Sequence, residues 1–153
     1  MTQLPARTPA QRKKDTLHRL EHDVDAWVAT ADLTTGAPYL VPLSFLWNGS
    51  SLLLSTTAST PTARNLSLSG SVRLSLGETR DVILIDGTAQ ALRPAELSQE
   101  EGDAFAAKTG FDPREESAAY LYFRVSPRRL QAWREVDEMA GRDLIVDGRW
   151  TVD

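Results

Sequence analysis

An antiparallel β-barrel, or else an α+β domain, is the fold class this sequence predicts: about six strands, a leading helix and two short helices set between strands. Three observations carry that reading. Asn48-Gly49 separates two apolar runs, Val41-Pro-Leu-Ser-Phe-Leu-Trp47 and Leu52-Leu-Leu-Ser-Thr-Thr57, which is the strongest short-range hairpin signal. Val72, Leu74 and Leu76 alternate with polar residues, the period of a half-buried strand. Two short stretches with helix-cap chemistry, from Pro61 and after Ser98, stand between strands.

The elements follow in order. Thr8 caps a helix with Pro9 at its first position and Gln11 completing a capping box; Leu17, Leu20 and Val24 then share one side, giving an amphipathic helix from Pro9 to Glu21. Ala26 to Ala31 shows no solvated face and is expected to be a buried strand, turned back by Thr34-Thr35-Gly36. Pro38 to Trp47 and Ser51 to Thr57 form the hairpin, with a type I′ turn expected at Asn48-Gly49. Ser59 or Thr60 then caps a short helix from Pro61 to Leu68. Asp81 to Arg93 is a long strand whose Asp86-Gly87 marks a bulge or bend, and Pro94 stops it. Ser98-Gln-Glu-Glu101 opens a helix running to about Lys108. Tyr120 to Trp133 is the last sizeable strand, interrupted near Ser126-Pro127, and Leu144 to Trp150 closes as a small hairpin.

The 153 residues suffice for one domain with one core, and residues 1–8 are expected to be flexible. With 41% hydrophobic and 25% charged residues the composition is that of a soluble globular protein. No apolar run reaches membrane-span length, the N-terminus lacks a signal-peptide core, and there is no cysteine, so a cytoplasmic location is expected. A net charge of −4 and the lack of a basic run beyond Arg12-Lys-Lys14 speak against nucleic acid as a partner. His18 and His22 share a helix face without a third ligand at motif spacing, so no metal is expected.

Chemistry concentrates after the hairpin. Backbone N–H groups at the start of the Pro61 helix, the hydroxyls of Ser59, Thr60 and Thr62, and the charge of Arg64 are a candidate anion site, although most capped helices that follow a strand bind nothing. No GxGxxG or GxxxxGK[ST] motif is present, so neither Rossmann nor P-loop nucleotide binding is expected. No catalytic serine motif, thiol or acid–base pair stands out. Tyr39, Tyr120 and Tyr122 could donate protons, yet tyrosines in strands usually pack, and no catalytic residue is assigned.

The succession Trp27-Val-Ala-Thr-Ala31, Thr35-Gly-Ala-Pro-Tyr-Leu-Val-Pro-Leu-Ser44, Asn48-Gly49, Ala63-Arg-Asn-Leu66, Val72-Arg-Leu74, Asp81-Val-Ile-Leu-Ile-Asp-Gly-Thr-Ala89 and Arg128-Arg-Leu-Gln-Ala-Trp133 resembles the pyridoxamine 5′-phosphate oxidase-like family of split β-barrels, in the flavin and deazaflavin oxidoreductase superfamily. The resemblance covers residues 12 to 150. It implies a six-stranded antiparallel split barrel of FMN-binding type, and a homodimer with FMN, or alternatively the deazaflavin coenzyme F-420, at the subunit interface. It aligns Pro42, Leu43 and Ser44 with the strand along the isoalloxazine ring, and Ser55, Thr56 and Thr57 with the strand beside the ribityl chain. Ser59, Thr60, Thr62, Arg64 and Asn65 fall on the phosphate loop and helix, and Trp133 on an aromatic that packs near the ring from the partner subunit.

One departure stands out. Relatives often carry basic residues just before Ala-Arg-Asn, where this chain has Pro61 and Thr62. Each charge-assisted hydrogen bond so lost removes about 1.5–3 kcal/mol of phosphate affinity. The expected function is hydride transfer between FMN or the deazaflavin and a small conjugated or heterocyclic substrate. A flavin carrier without turnover and a ligand-free dimeric barrel are the alternatives. A phosphorylated substrate would need its own basic cluster, and none is evident.

Overall fold

The computed structural model describes residues 5–153. Helix α1 spans Pro9–His22, followed by β1 (Asp25–Ala31), β2 (Pro38–Trp47), β3 (Leu52–Thr57), α2 (Pro61–Ser69), β4 (Ser71–Leu76), β5 (Val82–Leu92), α3 (Gln99–Thr109), β6 (Tyr120–Trp133), β7 (Asp143–Val146) and β8 (Arg149–Trp150). Antiparallel pairing runs β3–β2–β1–β4–β5–β6, and β6 returns to β3, so six strands close a barrel. The far half of β6 pairs with β7, and β7 with β8, as an extension.

Closure gives each strand an inward face, and there the apolar residues collect. Val28, Phe45, Leu54, Leu74, Ile85, Phe123, Val125 and Leu130 are all fully buried in one cluster, joined by Leu20 of α1 and Leu66 of α2. Each such side chain contributes about 1.5–3 kcal/mol through burial. A second cluster, Leu53, Leu92, Phe105 and Tyr122, lies on the other face of β3, β5 and β6 and seats α3 there.

Local chemistry explains where elements differ from expectation. β1 is half-buried: Ala26, Val28 and Thr30 point inward while Trp27 is 49% exposed, and its apolar outward residue hides the alternation in the sequence. At Asn48-Gly49 only the glycine has positive φ, and Trp47 pairs with Leu52 across a four-residue loop. The Asn48 Oδ1 accepts from the Ser50 and Ser51 amides at 2.9 and 2.7 Å, which favours that longer loop over a two-residue turn. The two-residue turn with both φ positive occurs instead at Asp147-Gly148, between β7 and β8.

Both capping boxes form by half. Thr8 and Ser98 accept from the amides of Gln11 and Glu101, but those side chains turn to Asp15 and Arg124. β6 is not interrupted at Pro127. The β5–β6 register slips between Asp86 and Gly87, with Arg128 as the extra residue, and pairing resumes to Trp133. Of the first eight residues, 1–4 lie outside those described, while Arg7 is ion-paired to Glu138 and Thr8 caps α1.

The bulge depends on its glycine. A Cβ at Gly87 would stand 2.8 Å from both the Ser126 carbonyl oxygen and Val125 Cγ1, and the first of these is backbone. Gly87→Ala is therefore expected to cost about 1–3 kcal/mol through overpacking, read as a lower urea midpoint at unchanged m-value.

Candidate functional site

The barrel opens where β2 and β3 part. They pair only from Phe45↔Leu54 to Trp47↔Leu52. On the open side of that contact, Pro42, Leu43 and Ser44 pair with β1 (Trp27, Ala26 and Asp25), while Ser55, Thr56 and Thr57 pair with β6 (Tyr122, Leu121 and Tyr120). Each strand thus has one ladder edge used and the other turned to the gap. An unpaired strand edge presents backbone donors and acceptors in a row, the feature a polar ring edge requires.

A cavity of about 480 Å³ occupies this gap. Its two strand walls are Pro42 to Ser44 and Ser55 to Thr57, so six of the residues expected from the sequence are brought together. Five further lining residues were not expected: Asp25, Phe105, Thr109, Phe111 and Tyr120. Phe105 and Thr109 belong to α3, which places the helix as a third wall. Thr109 Oγ1 bonds the Phe105 and Phe111 carbonyls at 2.8 and 3.1 Å and fixes the turn that carries Phe111. Phe111 and Tyr120 meet with ring centroids 5.4 Å apart.

Polar groups at the gap are partly committed. Ser44 Oγ donates to Asp25 Oδ1 at 2.6 Å, and Ser55 Oγ donates to the Leu121 carbonyl at 2.8 Å. Asp25 is the one carboxylate or cation among the residues lining the cavity. Register alone could have suggested two of the unexpected residues, because Asp25 faces Ser44 and Tyr120 faces Thr57. The α3 residues carry no such local signal.

β3 leads directly into the start of α2. Thr60 is its cap: Thr60 Oγ1 accepts from the Ala63 amide at 3.1 Å, donates to the Thr57 carbonyl at 3.0 Å and lies 3.4 Å from Thr56 Oγ1. The Arg64 amide bonds the Thr60 carbonyl, and Pro61 has no N–H, so fewer free donors remain at this helix start than the sequence suggests. Arg64 is exposed, its Nη1 donating to the Ser59 carbonyl at 2.7 Å. With Asn65, Pro61 and Asp32 it lines a smaller hollow of about 180 Å³. The Thr35 and then the Thr34 amide hold the Asp32 carboxyl below its ordinary pKa, so a negative charge shares that hollow.

Two of the expected residues turn inward. Thr62 is buried, and the buried Asn65 donates to Thr30 Oγ1 at 3.1 Å, tying α2 to β1. Ser59 is exposed beside the cap. Trp133 lies at the far end of β6, opposite Val82, with the Arg142 guanidinium 5.9 Å from its ring centroid; within one chain it does not line the cavity. His18 and His22 stack on α1 at 4.1 Å, and no cluster of three metal-ligating side chains exists among the described residues. No helix among the described residues is long and apolar enough to cross a membrane.

Comparison with known proteins adds sequence and fold likeness. Residues 16–134 match the model of the pyridoxamine 5′-phosphate oxidase family. No curated protein matches the sequence. Among solved structures, an F420 reductase is 17% identical, with a TM-score of 0.60, 74% of this chain covered and 93% of that one. A FAD-binding protein from Mesorhizobium loti is 16% identical, with a TM-score of 0.63 and coverage of 82% and 92%. The haem-storage protein of Vibrio cholerae is 15% identical, with a TM-score of 0.61 and coverage of 82% and 98%. At such identities these three likenesses concern the fold.

Proposed function

The chain belongs to the pyridoxamine 5′-phosphate oxidase family, and from that premise we propose that it is an FMN- or deazaflavin-dependent oxidoreductase acting on a small conjugated or heterocyclic molecule. The observation that carries this reading is the gap between β2 and β3, with two free strand edges leading to a helix start that bears an arginine. Pro42, Leu43 and Ser44 would lie along the ring. Ser55, Thr56 and Thr57 would follow the ribityl chain, with Ser59, Thr60 and Arg64 at the phosphate. Thr62 and Asn65 would act from beneath, by holding α2 against β1. A bound flavin or deazaflavin supplies hydride transfer at its central ring. The chain's own part is to bind, orient and shield that ring.

Trp27 and Leu40 stand exposed on the outer face of β1 and β2, the kind of apolar patch a second copy would cover. A homodimer through this face is part of the proposal, and it would bring Trp133 of one chain to the site of the other. FMN ranks ahead of the F-420 coenzyme, because the acidic chain offers no basic channel for that coenzyme's glutamate tail.

A carrier without turnover is the second reading. The scarcity of positive charge at the helix start, where Asp32 shares the hollow with Arg64, instead favours a third, a ligand-free dimeric barrel. Titration with FMN and with the deazaflavin coenzyme, followed by fluorescence, tests binding; reduction of the bound flavin by NAD(P)H separates enzyme from carrier. Arg64→Ala is expected to weaken the preferred cofactor by at least about tenfold, the worth of one charge-assisted bond. If neither cofactor binds the wild-type protein, the proposal fails.

A further inference from the structure

We propose that the cavity between β2 and β3 selects planar heterocycles by charge, accepting a cationic or neutral ring and rejecting an anionic one, with Asp25 as the selecting residue and Phe111 and Tyr120 as the stacking wall. The inference deepens the reading of the same cavity as a ring site and rests on it.

Three features of the cavity lead there. Its aromatic wall is available: Phe111 is 39% exposed, and it lines the cavity together with Tyr120, which it meets in a tilted contact. A planar ligand stacked on such a pair gains from offset or edge contacts beyond simple burial. Its other walls are backbone edges and hydroxyls, which bond neutral heteroatoms without regard to charge.

Charge is therefore decided by one group. Asp25 begins β1 at the mouth of the cavity, and its carboxylate accepts from Ser44 Oγ, a neutral donor that leaves the negative charge uncompensated. The nearby cation on α3, Lys108, is engaged elsewhere: its Nζ lies 3.4 Å from the Phe45 carbonyl and over the Phe45 ring, and it does not line the cavity. Arg64 belongs to the separate hollow at the start of α2. Among the lining residues of one chain, an anionic substituent entering between β2 and β3 would meet a carboxylate and no counter-charge, whereas a pyridinium-like ring would be attracted.

Three probes sharing one ring separate charge from shape: 1-methylnicotinamide (cation), nicotinamide (neutral) and nicotinate (anion). Calorimetry on the purified protein free of FMN, which would fill the same cavity, is expected to rank them in that order, with cation and anion about tenfold or more apart. Asp25→Asn keeps size and hydrogen bonding at an exposed position and should bring the three within about threefold of one another. Phe111→Ala should weaken all three by a similar factor of about two to ten, leaving their order intact. Nicotinate binding as well as 1-methylnicotinamide, an order unchanged in Asp25→Asn, or no binding of any probe would each overturn the inference. Failure of FMN to bind while the charge order persists would instead count against the flavin reading alone.

Discussion

Replacing Glu138 with alanine is expected to lower the free energy of unfolding by about 3–5 kcal/mol, the usual cost of removing one partner from a buried ion pair. Glu138 is 2% exposed, and its carboxylate accepts from Arg7 Nε at 2.9 Å and Arg7 Nη2 at 2.8 Å. Arg12, 3% exposed, brings its Nε to 3.5 Å from the same carboxylate, and that nitrogen has no hydrogen-bond partner of its own. Without Glu138, Arg7 would keep only Asp15 within hydrogen-bond reach, and buried Arg12 would be left with backbone carbonyls and no carboxylate. Asp15 and Asp81 extend the cluster to Arg19 and Arg134, so residue 7, α1, the start of β5 and the end of β6 share one charge network. Trp133 stands next to Arg134, and loosening the network should move the aromatic assigned to the partner's site.

Acid should reveal the same pair. Hydrogen bonding from Arg7 holds the Glu138 carboxyl below its ordinary pKa despite burial. A depressed folded-state value means that the pair's contribution is fully present above the ordinary glutamate range. It is lost as pH falls through the lower folded value. The stability gap between wild type and Glu138→Ala, measured by urea unfolding, should therefore narrow on acidification. A gap below about 1 kcal/mol at neutral pH would show the cluster to be worth no more than surface pairs.

Most of the barrel is legible in the sequence because its signals are local. A hairpin needs a turn between two apolar runs, and a half-buried strand such as β4 needs only alternation. Gly87 marks the β5 bulge because any larger residue would strike the facing strand. Local signals fail where a distant residue competes for the same group. Glu101 has the spacing to close a capping box, but Arg124, 23 residues on, takes its carboxylate at 2.6 Å. Asn48-Gly49 has turn chemistry, yet the Asn48 side chain closes a longer loop with the serines that follow it. The two strands that wall the cavity are legible for the same reason as the hairpin, but their place at a site is what the family resemblance implies. The third wall was not, because Phe105 and Phe111 reach β2 only after β5 and α3 have been placed. Buried Glu138 likewise reads as an ordinary charged residue until α1 is packed beside it.

Phe105 is the one large buried side chain of that third wall, and Phe105→Ala is expected to loosen it. Phe105 is 2% exposed and packs edge-on against Tyr122, ring centroids 5.5 Å apart at 87°, with Leu53 and Leu92 completing the cluster. Truncating a buried phenylalanine costs about 3–5 kcal/mol when the cavity cannot collapse. Here the loss falls on the one apolar cluster that fastens α3 to the barrel, because the main core lies on the inner face of the strands. Hydrogen exchange should accordingly speed up in α3 well before the barrel strands are affected. Ligand affinity at the gap should drop with it, since Thr109 and Phe111 are positioned from the end of that helix. Phe105→Leu keeps most of the volume and should retain both protection and affinity to a large extent. If Phe105→Ala instead lowers stability uniformly and leaves ring binding unchanged, α3 is a structural buttress and not a wall of the site.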